Sequence, residues 1–360
     1  MYEQISEHTL YLMFYAGVTV LNLIACCYLL FRRANAIAPD VTPPVRLRRW
    51  TAVFFAATTL SHLWYLPSFF LNSDDAAKQF FLFGGLLDTI TVFPLAIVIL
   101  FVMLQERRRP LWPVAVMVAP LVVGMVWSVA SSSFAILPIL YVYLLLMSIS
   151  LIIYMVRALR QYGRWLRDNY ADLEHKELWQ SFTVLGTFML MFGIYAMSGK
   201  VAFYEYALQL ADILLTSYLL WRVETLSDLS VAIPHFSLLL PPSSVPDDIG
   251  LLLKRYCADT QLYLQHDLTL AQLAQAIGTN RYYLSQYFSS QGMTYNAYIN
   301  DLRIQHFVSL HREAVTNLRP FTAHQLAHDS GYRSYSTFSL AFKQRMGQSV
   351  TAWMRDTARE

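Results

Sequence analysis

Charge is scarce in this chain of 360 residues. Asp, Glu, Lys and Arg make up 14% of it, where a soluble domain carries about 25%. Cysteine is scarcer still. Cys26, Cys27 and Cys257 are too few for a disulfide framework and lack zinc-ligand spacing. No His-Glu-x-x-His and no glycine-rich phosphate loop occurs, so no zinc-protease or nucleotide-hydrolase signature is present. The net charge of +3 is too small to argue for nucleic acid or acidic partners by itself. The first eight residues hold Glu3 and Glu7 but no lysine or arginine. A cleaved signal needs a basic leader, so the box Leu23-Ile24-Ala25-Cys26 is not read as a lipoprotein cleavage site.

What is abundant is apolar. Hydrophobic residues make up 56% of the chain and aromatics 15%, including 23 Tyr and 22 Phe. That balance excludes a disordered chain and suits a membrane protein with interfacial aromatic belts. The excess lies before Trp221. Seven apolar runs stand there: Leu10–Phe31, Thr51–Leu71, Phe80–Leu104, Leu111–Val129, Phe134–Val156, Trp179–Met197 and Phe203–Trp221. A helix of about 20 apolar residues crosses the hydrocarbon layer, and in lipid the backbone must satisfy its own polar groups. The expectation is an all-α protein that begins with a seven-span bundle over residues 1–221.

Basic residues fix the expected orientation. The loops after the first, third and fifth runs hold 13 Lys and Arg, and the other loops only Lys78 and Lys200. By the positive-inside rule the former are cytoplasmic, the N-terminus is outside and the C-terminus inside. Within the runs, His62, Asp88, Gln209 and Asp212 are polar residues in an expensive place. They are candidates for an intramembrane sensor site, against the plainer role of fixing helix packing. Asn22 and Glu205 are of the same kind.

Residues 222–246 read as a linker broken by Pro234, Pro241, Pro242 and Pro246. From 247 to 360 the pattern is that of soluble amphipathic helices. Ile249–Gln265 is one. Thr269 can cap the next, Leu270, Leu273, Ala274 and Ile277 share a face, and Gly278 ends it. Arg281–Phe288 starts a second helix with Tyr283, Leu284 and Phe288 expected in the core. Two short helices with a tight glycine turn form a helix-turn-helix. The unit recurs about 50 residues later: Gly331 matches Gly278, Phe338 matches Leu284 and Phe342 matches Phe288. One long helix, Thr294–His311, lies between them.

The segment from about Leu268 to Met354 resembles the DNA-binding domain of AraC/XylS-type bacterial transcription regulators. The likeness rests on Leu-Thr-Leu-x-x-Leu-Ala, Tyr-Leu-Ser-x-x-Phe, Gly-Met-Thr-x-x-x-Tyr-Ile-x-x-Leu-Arg-Ile at Gly292–Ile304, the turn Gly331-Tyr332, Phe338, Phe342-Lys343 and Gly347. The apolar half looks like the membrane-tethered members of that family. Resemblance implies two recognition helices whose N-terminal residues reach base edges. By position these are Arg281, Tyr282, Ser285 and Gln286 in the first unit. In the second they are Arg333, Tyr335, Ser336 and Ser339, with Lys343 further on. Leu340 stands where the family often has a polar residue, and Val350 where it usually has Pro. From 247 to 360 there are 11 Lys and Arg against 9 Asp and Glu, a faint electrostatic footprint.

The reading is a regulator in the bacterial cytoplasmic membrane. Its partners are double-stranded DNA and the bilayer, with a homodimer, a small ligand or envelope signal, and RNA polymerase beside them. It calls for no cofactor, catalytic residue or metal. The alternative is a polytopic transporter with a C-terminal regulatory domain, against which the spans show no evident internal repeat.

Overall fold

The computed structural model describes residues 2–32, 35–39, 41–67, 84, 87–88, 90–107, 109–131, 133, 135–198, 202–229 and 248–357. Among these are 14 α-helices and no strand. The chain forms two compact units, Met1–Arg160 with Leu178–Leu229, and Gln161–Glu177 with Ser230–Glu360. Most of the expected linker, 230–246, lies outside the described residues.

Each of the seven apolar runs holds a helix: α1 (Tyr2–Phe31), α2 (Val45–Tyr65), α3 (Val92–Met103), α4 (Trp112–Ser131), α5 (Leu137–Asn169), α6 (Trp179–Ser198) and α7 (Ala202–Thr225). Three of them contain stretches long and apolar enough to cross a membrane: Thr9–Phe31, Trp112–Ser131 and Pro138–Asn169. The first segments of the third run, before Asp88, are mostly outside the described residues.

Helix α5 overruns its apolar stretch by 13 residues, from Val156 to Asn169. The reason is a stripe of buried residues at helical spacing, Leu151, Met155, Ala158, Tyr162 and Leu166. Arg157, Arg160, Arg164 and Arg167 stay exposed around it. Helix α7 ends at Thr225, four residues into the stretch read as a linker.

At one end of the first unit the segments after α1, α3 and α7 meet. Asp228 N donates to Thr42 O at 2.8 Å, and Leu229 N donates to Gln105 Oε1 at 2.9 Å. The Glu224 carboxylate accepts from the backbone N–H groups of Ala36 and Ile37 and from the Tyr28 hydroxyl.

The second unit opens with α8 (Ile249–Leu253), capped by Asp248, whose Oδ1 accepts from Leu251 N at 2.9 Å. The expected single helix Ile249–Gln265 is broken. It widens into a π-type turn, Lys254–Ala258, and Gln261 at φ 55° then turns the chain into a short 3-10 segment, Leu262–Leu264. Helices α9 (Leu270–Ala276), α10 (Arg281–Ser290), α11 (Tyr295–Thr316), α12 (Ala323–Asp329), α13 (Tyr335–Met346) and α14 (Val350–Thr357) follow.

Their starts are chemical. Thr269, Asn280, Thr294, Thr322 and Ser334 each accept an N–H from the first turn of the helix they precede, each cap contributing about 1 kcal/mol. At Thr269 the cap is reciprocal, since Gln272 Oε1 accepts from the Thr269 N–H at 2.8 Å. Two cores result. Leu270, Leu273, Leu284 and Phe288 close the first, and Phe307, Tyr332, Phe338 and Phe342 the second. Each fully buried Leu or Phe contributes roughly 1.5–3 kcal/mol. Helix α11 serves both, giving Tyr295 and Ile299 to the first and Ile304 and Phe307 to the second. Val350, where a proline was expected, is buried in the second core.

Candidate nucleic-acid interface

Helices α9–α10 form one helix-turn-helix and α12–α13 the other. In each, a glycine with positive φ carries the turn: Gly278 at 74° and Gly331 at 88°. Gly331 is doubly constrained. A Cβ there would lie 2.8 Å from Leu264 Cα and 2.9 Å from Leu264 O, whereas at Gly278 it would meet open space. Between the units α11 has 22 residues, a rod of about 33 Å, close to one DNA turn of ~34 Å.

On α10 the core side is Leu284 and Phe288. Tyr283, expected in that core, is only half-buried at its edge. The opposite side presents Tyr282 and Gln286, an i,i+4 pair, while Arg281 and Ser285 flank the core face. Tyr282 is 70% exposed and Gln286 is exposed, with Arg281 and Ser285 partly so. On α13, Ser336, Ser339, Leu340 and Lys343 form one stripe; Leu340 is 62% exposed and Lys343 is exposed. The structure therefore brings Tyr282 and Gln286 together on the solvent face of α10, and Ser336, Ser339 and Leu340 on one face of α13 with Lys343 one turn beyond. Tyr335 is placed differently. Its ring stacks on His324 at 5.9 Å and packs against Phe338 at 5.8 Å, at the edge of the second core.

Arg333, in the turn before α13, is exposed and pairs with Asp267, Nη2 to Oδ2 at 3.4 Å. Arg345 is held by Asp301, which raises its pKa.

Sequence reasoning missed Arg303. It is 1% exposed on the core side of α11, between the two units. Its Nε donates to Tyr263 O at 2.8 Å and its Nη2 to Gln265 O at 2.6 Å, while the guanidinium lies 5.4 Å from the Tyr332 ring centre. Desolvation pulls its pKa down, opposed by Tyr332 and Asp172. The signal was available: Ile299, Arg303 and Phe307 fall on one i,i+4 stripe, a charge at a core position. Nearby, burial pushes the Cys257 thiol up to about 12 and raises Tyr295, Tyr298 and Tyr332. Burial lowers His306 and His311.

The sensor candidates also converge, inside the first unit. His62 Nε2 lies 3.0 Å from Gln209 Oε1 and 3.8 Å from Asp212 Oδ2. Asn22 Nδ2 donates to that same Asp212 oxygen at 2.7 Å, and Thr216 Oγ1 donates to Asn22 Oδ1 at 2.8 Å. Tyr15 donates to His62 O at 2.8 Å. Asp212 Oδ1 is buried without a hydrogen-bond partner among the described residues. Asp88 is buried within electrostatic reach of His62. The side chain of Glu205 lies outside the described residues. Among the described residues no group of three or more His, Cys, Asp or Glu could hold a metal ion.

Residues 273–356 match the family model of a helix-turn-helix domain. The match spans both units and less than a quarter of the chain. It supports a DNA-binding transcription regulator of the AraC/XylS type, and such a domain binds rather than catalyses. No curated protein and no solved structure matches the chain.

Proposed function

We propose that this chain is a membrane-anchored, sequence-specific transcription regulator whose apolar half senses a signal and whose C-terminal half reads DNA. One observation carries the DNA half: two capped helix-turn-helix units, each with polar side chains exposed, pack on successive stretches of one connecting helix. Arg281 to guanine and Gln286 to adenine are the contacts with bidentate geometry, each contributing about 1–3 kcal/mol of discrimination.

Two observations support the membrane half and its orientation. The segments after α1 and α3, rich in arginine, meet the end of α7 at one end of the first unit. The segment 161–177, which carries Arg164, Arg167 and Lys176, falls in the same compact unit as the C-terminal helices. Exactly two helices, α6 and α7, separate that segment from residue 230 among the described residues, and two crossings return a chain to the side it left. Seven spans, an outside N-terminus and a cytoplasmic DNA-binding domain in a bacterial inner membrane satisfy both. The buried set Asn22, His62, Gln209 and Asp212 is the proposed sensing site, because unpaired carboxylate oxygen inside an apolar bundle is costly unless used. A homodimer and RNA polymerase are the protein partners this reading calls for.

The test is crosslinking of DNA to the tagged full chain in cells, followed by sedimentation of membranes. Specific fragments recovered in the membrane fraction support the reading. Recovery only from the soluble fraction overturns anchoring, and recovery of no enriched fragment overturns regulation. A substrate-flux assay in vesicles separates the transporter alternative.

A further inference from the structure

The segment between α5 and α6 is built into the first helix-turn-helix unit. Ala171 is 2% exposed within the first core, beside Leu268 and Leu270. Tyr170 pairs with Thr269 in an antiparallel bridge, and Ala171 N donates to Leu268 O at 3.2 Å. Asn296, on α11, donates its side-chain N–H to Ala171 O at 2.7 Å and to Tyr170 O at 3.3 Å. At the far end of the segment Lys176 Nζ lies 3.7 Å from Asp267 Oδ1. The other oxygen of Asp267 holds Arg333 at 3.4 Å.

We propose that segment 170–177 is an intramolecular clasp, docked on the helix-turn-helix domain at Leu268–Thr269 and Asn296, which through Lys176 and Asp267 sets how freely Arg333 is presented to DNA. The inference rests on the regulator reading above. The chemistry is a shared carboxylate. With the clasp docked, Asp267 divides its charge between Lys176 and Arg333, and a DNA phosphate or base competes for Arg333 on favourable terms. With the clasp withdrawn, Asp267 pairs with Arg333 alone, the Asn296 amide N–H loses both carbonyls, and the Leu268 carbonyl keeps only the Tyr295 hydroxyl at 3.1 Å. The docked state is the one that binds DNA. Because the segment continues from α5 and leads into α6, movement of those helices acts on the clasp through the chain itself, without passing through residues 230–247.

The test uses the full chain in lipid nanodiscs and the genomic DNA fragment it enriches most. Trypsin cleavage after Lys176, which is buried when docked, reports the clasp without DNA. Asn296→Ala is expected to speed that cleavage about tenfold and weaken DNA binding by a similar factor, as two hydrogen bonds are lost. Lys176→Met leaves the segment seated and is expected to weaken DNA binding several-fold. In an Asp267→Asn background Lys176→Met is expected to have no further effect, because its influence passes through that carboxylate. Unchanged DNA affinity in Lys176→Met, or an equal loss in both backgrounds, overturns the proposal. So does Asn296→Ala if it speeds cleavage and leaves affinity unchanged. Failure of the wild-type chain to enrich any DNA is a different result: it overturns the regulator reading, while the cleavage rates still report the docking.

Discussion

The guanidinium of Arg303 stacks 5.4 Å from the ring centre of Tyr332 while its N–H groups hold the backbone carbonyls of Tyr263 and Gln265. Tyr332 closes the second helix-turn-helix, and Tyr263 and Gln265 belong to the turn that leads into the first. One side chain on the connecting rod therefore ties the two DNA-reading units to each other. Replacing Arg303 with Met is expected to strand buried carbonyls and lower the stability of the C-terminal helices by on the order of 3–5 kcal/mol. Hydrogen exchange across 262–346 checks it: protection should fall in both units together. Loss in one unit alone contradicts the tie.

The two turn glycines should respond differently to alanine. Gly278→Ala meets open space and bears only the positive-φ cost, about 1 kcal/mol. Gly331→Ala adds a clash with the backbone of Leu264 and should cost several times more. Chemical denaturation of the two variants, followed by the near-ultraviolet signal of the tyrosines, ranks them. Equal losses would mean the chain around Leu264 yields freely.

Burial raises Cys257, Tyr295, Tyr298 and Tyr332, all of which are uncharged at neutral pH. A raised folded pKa contributes stability below the unfolded value that is lost as pH rises through the folded one. For Cys257 that window runs from 9.0 to about 12. His306 and His311 are lowered, so their contribution is present above 6.5 and lost as pH falls through their folded values. The denaturation midpoint of the C-terminal helices should fall on both sides of a plateau between these limits. A flat midpoint from pH 9 to pH 11, about two units within that window, contradicts the assignment of these groups to the core.

Base-reading and backbone contacts separate in a salt titration. Gln286→Ala should relax preference at one base position, with a loss of about 1–3 kcal/mol there and little elsewhere. Lys343→Ala should weaken binding to all sequences alike and reduce the salt slope by about one. Tyr335→Phe should leave base preference unchanged, because its ring is committed to His324 and Phe338.

Local pattern carried much of this architecture into the sequence. Thr269 as a cap, Gly278 as a stop, Leu284 and Phe288 as a core face and the recurrence at Gly331, Phe338 and Phe342 are all features of periods of a few residues. What escaped was non-local. Tyr170 and Thr269 are neighbours across 99 positions, and neither has a periodicity that names the other. His62, Gln209 and Asp212 stood out as polar residues in apolar runs, yet their meeting with Asn22 needed helix packing to bring α1, α2 and α7 together. Tyr335 looked like a contact residue from its place in α13. The ring of His324, 11 positions away, adds that it also packs at the edge of the second core.

The most direct measurement is selection of genomic fragments by the full chain in nanodiscs at two salt concentrations, beside the Arg281→Ala/Gln286→Ala variant. The account predicts a set of enriched sites that persists at the higher salt and disappears in the variant. Enrichment that is absent, or that is the same in the variant and vanishes at higher salt, would contradict sequence-specific reading by α10.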